Sequence, residues 1–232
     1  MSRSIRLVTA ALLVLAAVLA NVGFIVLGSI FNYPQILSKP ATEIFDGFIA
    51  NRAAIAASFT LLAIASGLLA PIALLVGRLS DARPMRYAVF AGVAAAVVQV
   101  IGLMRWPLLV PGLADRYATG GAAATQAISD LESANRILGN LLGETIGYIL
   151  TAAWTLLVVI AIGRTIGGRW FAILGAVAAV MIAVGVLAPL KVPGTTLVNF
   201  LGYVLWSIWL IVFAIILVRN RAGVASLTTT AT

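Results

Sequence analysis

The chain has 232 residues, of which 62% are hydrophobic and 9% charged, against about 45–50% and about 25% in average soluble domains. It carries 15 Lys and Arg against 7 Asp and Glu, a net charge of +8, and it contains neither Cys nor His. Such a chain has too little polar surface to cover a soluble globule and lacks the usual ligands of zinc, iron–sulfur clusters and haem. The expectation is a polytopic membrane protein with no metal and no cofactor.

Six apolar stretches follow one another, each near the ~20 residues that cross a bilayer core of about 30 Å. They are Leu7–Phe31, Ala53–Val76, Tyr87–Met104 (on to Val110 if the helix passes Pro107), Leu138–Ile162, Trp170–Ala188 and Leu197–Val218. Lipid offers the backbone no hydrogen-bond partners, so each is predicted to be a helix. Residues 1–221 then form one all-α domain, a single bundle of six transmembrane helices. The first stretch has features of a secretory signal: Arg3 and Arg6 precede an apolar run, and Val18-Leu19-Ala20 resembles a cleavage site. The run continues about eleven residues past Ala20, beyond the length of a signal core, and reads as a retained span. Pro71 is expected to kink the second span.

Two connections are long. In residues 32–52, Pro40 opens a segment with Ile44, Phe45, Phe48 and Ile49 on one helical face. In residues 105–139, Ala124, Ile128, Leu131, Ala134 and Leu138 recur at helical spacing. There Ser129 and Glu132 match a capping box, and Glu132 and Arg136 an i,i+4 ion pair. Both connections read as amphipathic helices on the outer face, capping the bundle or lying on the membrane surface.

Charge orients the bundle. One side holds Arg3, Arg6, Arg78, Arg83, Arg86, Arg164, Arg169, Arg219 and Arg221 with Asp81 as its one acid. On the other, Lys39, Arg52, Arg105, Arg116, Arg136 and Lys191 balance Glu43, Asp46, Asp115, Asp130, Glu132 and Glu144. The positive-inside rule puts both termini in the cytoplasm of a bacterial plasma (inner) membrane, with the basic face against lipid headgroups rather than nucleic acid. Residues 222–232, rich in Ser and Thr, are predicted to be a disordered cytoplasmic tail.

Ionisable residues inside a membrane are costly and mark functional sites by default. In the fourth span, Gly139, Gly143 and Gly147 form a ridge of small residues suited to close helix packing. Beside it run Asn140, Glu144, Tyr148, Thr151 and Thr155. A lone carboxylate at Glu144 must pair, hydrogen-bond or protonate. Arg105 is its expected partner, and Arg52 the second. The five residues Arg52, Arg105, Asn140, Glu144 and Tyr148 then form either an outward-facing binding pocket or an ion pair that pins three helices. Asn21 and Gln99 are expected to hydrogen-bond each other near mid-membrane. Trp206 and Trp209, with Tyr203 a turn away, either line an apolar part of a binding site or fill the core. Trp106 and Trp170 fit interfacial anchors.

No Gly-rich phosphate loop precedes a helix, and no Lys lies in a span to carry a Schiff base, Lys39 and Lys191 both being in outer loops. The leading expectation is a non-enzymatic binder or transporter of a small molecule or lipid. The alternative is an accessory subunit of a larger membrane complex or a homo-oligomer. A membrane enzyme using Glu144 as acid or base beside Arg105 ranks third.

Four stretches carry a resemblance. They are Tyr33-Pro34-x-x-Leu37-x-x-Pro40, Leu103-x-Arg105-Trp106-Pro107-Leu108-Leu109-Val110-Pro111, Gly143-Glu144-x-x-Gly147-Tyr148-x-Leu150-Thr151-Ala152-x-Trp154-Thr155 and Gly202-Tyr203-x-Leu205-Trp206-Ser207-x-Trp209-Leu210. Together they resemble domain of unknown function 4386, a bacterial membrane family, over nearly the whole chain. The resemblance implies six transmembrane helices and no established activity. In that family a His often follows the Glu of the third stretch. Thr145 stands there in this chain, which removes an acid–imidazole pair. The resemblance draws attention to Arg105, Glu144, Tyr148, Trp154, Trp206 and Trp209.

Overall fold

Helices form where the apolar stretches lie. The computed structural model describes residues 2–190 and 192–219, and every regular element among them is helical. Lys191 and the segment 222–232 lie outside the described residues. The first span, α1 (Arg3–Phe31), starts where the Ser2 side chain accepts the Ile5 N–H. It stops at Asn32, whose left-handed backbone (φ 49°) returns its own N–H to the Leu27 carbonyl.

After a 3-10 turn at Gln35–Ser38 comes α2 (Ala41–Ala50). The second span is α3 (Arg52–Gly67) and α4 (Leu69–Gly77), interrupted at Leu68. Pro71 accounts for the break: it has no N–H, and its ring crowds the carbonyl four residues earlier, at Gly67. The third span, α5 (Arg83–Leu108), runs through Pro107 and gives way at Leu109 to α6 (Val110–Ala118). Then come α7 (Gly121–Ala134), a π-helical stretch Asn135–Ile146, α8 (Gly147–Val158), a second π stretch Val159–Gly163 and α9 (Arg164–Val184). A 3-10 turn, Gly185–Leu190, and α10 (Thr195–Arg219) follow.

Five uninterrupted helical runs are long and apolar enough to cross a membrane, and one of them, Gly121–Leu190, has 70 residues. That run holds two crossings because it doubles back at Gly168, whose φ of 76° favours glycine. Gly163 lies against Ala172, Gly175 against Val159 and Gly185 against Tyr148, the pairing of an antiparallel hairpin. The same pairing joins α4 to α5 (Gly77 on Val89, Ala73 on Gly92) and α9 to α10 (Ile182 on Gly202, Gly175 on Trp209). Each span packs on the next, and α10 closes on α1, so the spans form an up-and-down ring in chain order.

Two apolar cores fill this ring. The larger includes Leu13, Ile72, Trp154, Phe171, Trp206, Trp209 and Phe213. The smaller joins one end of the ring to α2, α6 and α7 through Phe31, Ile44, Phe45, Phe48, Phe59, Val110, Leu113 and Leu131 around Trp106. Trp106 is fully buried between Phe59 (ring centroids 4.6 Å apart, stacked) and Phe31 (5.2 Å), so it is a core residue and not an interfacial anchor. Trp170 is 58% exposed at the opposite end. Ile44, Phe45 and Phe48 of α2 face inward, while Ile49 is exposed.

The second long connection makes two helices rather than one. Helix α7 begins at Gly120–Gly121, so Ser129 lies in its interior and forms no capping box. Arg136 does not pair with Glu132. Among the described residues the ion pairs of this end are Arg116 with Asp130 (2.7 Å), Arg52 with Asp115 (2.6 Å) and Lys39 with Glu43 (3.9 Å).

Candidate functional site

The glycine ridge of the fourth span meets α5 inside the ring. A Cβ on Gly143 would lie 3.4 Å from the Cα of Gly102. A Cβ on Gly102 would come within 2.8 Å of both the Gly143 Cα and the Leu138 carbonyl oxygen. Gly139 sits against the Arg105 guanidinium and Gly147 against the Gln99 side chain, each 2.9 Å from the nearest atom to a would-be Cβ. Gln99, Gly102 and Arg105, three residues apart, thus lie opposite Gly147, Gly143 and Gly139. Two glycine-lined backbones in contact leave the polar side chains of α5 room beside the fourth span.

Arg105 is 7% exposed. Its Nε donates to Asn135 Oδ1 (3.1 Å), its Nη1 donates to the Gly102 carbonyl, and its guanidinium carbon sits 5.2 Å from the Trp106 ring centroid. Its Nη2 donates to no other group among the described residues. It makes no ion pair with Glu144, which differs from the expected Arg105–Glu144 bridge. Glu144, half-buried in the π stretch, has no hydrogen bond or ion pair among the described residues.

Three tyrosines from different elements feel these charges. Both charges act electrostatically on Tyr33, which follows α1, and on Tyr148 of α8; Glu144 also acts on Tyr203 of α10. Tyr148 and Tyr203 meet edge to face at 5.7 Å. Burial first, and the Glu144 charge second, raise the Tyr33 phenol above its ordinary range, while Arg105 acts against them. The Tyr33 ring is held by Phe59 (5.4 Å) and Phe24 (6.0 Å), and Phe24 reaches Phe200 of α10 (6.2 Å). Deeper in the ring, Gln99 Nε2 donates to Thr151 Oγ1 (2.7 Å), the Gly147 carbonyl (3.3 Å) and Tyr203 Oη (3.4 Å). Gln99 therefore ties α5 to α8 and α10. Asn21 instead donates to Ala17 of its own helix (2.7 Å), so the expected Asn21–Gln99 bond is absent.

Several residues singled out by spacing lie elsewhere. Arg52 is exposed at the rim, where Nη1 and Nη2 grip the two Asp115 carboxylate oxygens (2.6 and 3.0 Å) and Nη2 also reaches the Pro111 carbonyl. Asn140 is exposed on the outside of the bundle. It lies in the π stretch, where i→i+5 hydrogen bonds shift the phase of the face that α-helical spacing would set. Trp206 and Trp209 are packed. Trp206 Nε1 donates to Thr155 Oγ1 (2.8 Å). Trp209 is fully buried, stacked on Phe171 (5.2 Å) and edge-on to Trp154 (5.8 Å). The indole N–H groups of Trp106, Trp154 and Trp209 are buried without a partner, each ring sealed among other side chains.

Spacing brings out Arg105, Glu144, Tyr148 and Thr151 but not Tyr33, Asn135 or the link from Gln99 to Tyr203. Those contacts join positions up to 104 residues apart, as Gln99 and Tyr203 are, and helical periodicity carries no signal for them. A cavity of about 270 Å3, lined by Trp170, Val212, Ile215, Ile216 and Arg219, lies at the opposite, basic end.

Neither the curated proteins nor the solved structures contain a match to the chain. The family model described as a domain of unknown function (DUF4386) does match, over residues 8–214, and the chain belongs to that family.

Proposed function

We propose that the protein is a non-enzymatic binder or carrier of a small molecule or lipid, with its site at Arg105, Glu144, Tyr33 and Tyr148 inside the end of the ring covered by α2, α6 and α7. One observation carries this reading. Arg105 is buried beside the fourth span with Nε and Nη1 bonded, the Glu144 charge acts on it and on Tyr33 and Tyr148, and no hydrogen bond among the described residues engages Arg105 Nη2, the Glu144 carboxylate or either tyrosine hydroxyl. Neighbouring polar groups such as Gln99 and Asn199 do find protein partners. A polar ligand could accept from Arg105 Nη2 and donate to Glu144, the two charged groups left open. The site contains one carboxylate and no thiol or imidazole, which suits recognition better than covalent or acid–base chemistry. With the arginine-rich end in the cytoplasm of a plasma membrane, the site lies toward the outer face. The accessory-subunit reading loses its main support, because the glycine ridge is covered by α5 of the same chain.

Native mass spectrometry of protein gently extracted from its own membranes tests this. The wild type is expected to carry a small molecule or lipid that falls at least tenfold in Glu144→Gln, with a loss of melting temperature no larger than stripping the ligand from the wild type produces. A variant that only melts lower, beside a wild type that carries nothing, would assign Glu144 to structure instead.

A further inference from the structure

We infer that the ligand is a zwitterion, an ammonium group joined by a short chain to an acidic group, with the ammonium on Glu144 and the acidic group on Arg105 Nη2. This rests on the binding reading above and asks more of it.

The charges at the site cancel but do not meet, since no Arg105 nitrogen lies within 4.0 Å of a Glu144 oxygen. Arg105 is held away from Glu144. Its Nε is engaged by Asn135, one hydrogen of Nη1 by the Gly102 carbonyl, and its plane by Trp106, so the second Nη1 hydrogen and both on Nη2 remain to donate. A cationic ligand would satisfy Glu144 and leave Arg105 unpaired; an anionic ligand would do the reverse. A neutral polyol would offer hydrogen bonds but no charge to either. In a low-dielectric interior an unpaired charge is the costliest remainder, so a ligand bearing both signs fits best. The aromatic groups agree. The Glu144 charge acts on Tyr33, Tyr148 and Tyr203, and aromatic rings near a carboxylate suit an ammonium. Two sources share this chemistry: an ethanolamine phospholipid headgroup and a free amino-acid-like solute.

The full-length protein in nanodiscs separates them. In one arm the discs are phosphatidylethanolamine or phosphatidylglycerol alone. In the other, phosphatidylglycerol discs receive phosphoethanolamine, glycine, tetramethylammonium, acetate or glycerol. Melting temperature is read throughout, and calorimetry gives a Kd for each soluble probe. The inference predicts stabilisation by phosphatidylethanolamine, if the source is lipid, or by a soluble zwitterion, if it is not. It predicts weaker effects from the single-charge and neutral probes. Glu144→Gln should weaken zwitterion binding at least tenfold while sparing acetate, and Arg105→Lys, which keeps the charge but loses the guanidinium fork, should weaken both. Equal stabilisation by a singly charged or neutral probe, or zwitterion binding indifferent to Glu144→Gln, overturns the inference and leaves the binding reading standing. If no probe acts and native mass spectrometry captures nothing, both fall.

Discussion

Gly102 is where the site depends most on a single missing side chain. A methyl group there would press on the Gly143 backbone and the Leu138 carbonyl at 2.8 Å, and backbone cannot give way as a flexible side chain can. Gly102→Ala is expected to destabilise by about 1–3 kcal/mol, read as a lower melting temperature in detergent. Gly112→Ala, at an exposed helical position with nothing within 4 Å of its would-be Cβ, should instead stabilise by about 0.5–1 kcal/mol. Thr155→Val is a second test. It removes the acceptor of the Trp206 N–H and leaves that donor buried, at about 1–3 kcal/mol. A melting temperature equal to that of wild type would mean that the bond contributes nothing. Small-residue spacing points to the fourth-span ridge directly, because it is local. Asn140 misleads for an equally local reason, since the π stretch changes which residues share a face.

At the scale of elements, the helices over one end are tied to the ring by charge as well as by packing. Arg52 at the start of α3 holds Asp115 of α6 through two hydrogen bonds. That contact, chiefly its hydrogen bonding, pulls the Asp115 carboxyl below its ordinary value of 3.8. A carboxylate with a lowered folded value stabilises above its unfolded value and loses that contribution as pH falls through the folded one. The pair is exposed and therefore weak and salt-sensitive. Below pH 3.8 the protection of α6 amides, measured against their intrinsic exchange rates, should fall, and Asp115→Asn should abolish that fall. Protection that falls equally in both proteins would rule out Asp115 as its source. The existence of these helices is legible in the sequence from their apolar faces. Their boundaries are less so: Ser129 and Glu132 have the spacing of a cap, yet the α7 helix starts at Gly121, where glycines at 120 and 121 adopt positive φ.

For the whole molecule, the six apolar stretches anticipate the ring, because backbone hydrogen bonding in lipid admits little else. What they do not disclose is its closure, α10 against α1, or the cross-ring bonds from Gln99 to Tyr203 and from Trp206 to Thr155. Orientation is open to direct test because the chain has no Cys. With the arginine-rich end inside, Ala82→Cys should resist a membrane-impermeant maleimide added to intact cells, while Thr119→Cys should react; the reverse pattern would invert the topology. The measurement that bears most directly on the central claim is a cryo-electron microscopy map of the protein in discs of its native lipid. The account predicts non-protein density within hydrogen-bonding distance of Arg105 Nη2, the Glu144 carboxylate and the Tyr33 and Tyr148 hydroxyls. Arg105 and Glu144 in direct contact, with no density between them, would contradict it and make the pair a structural pin.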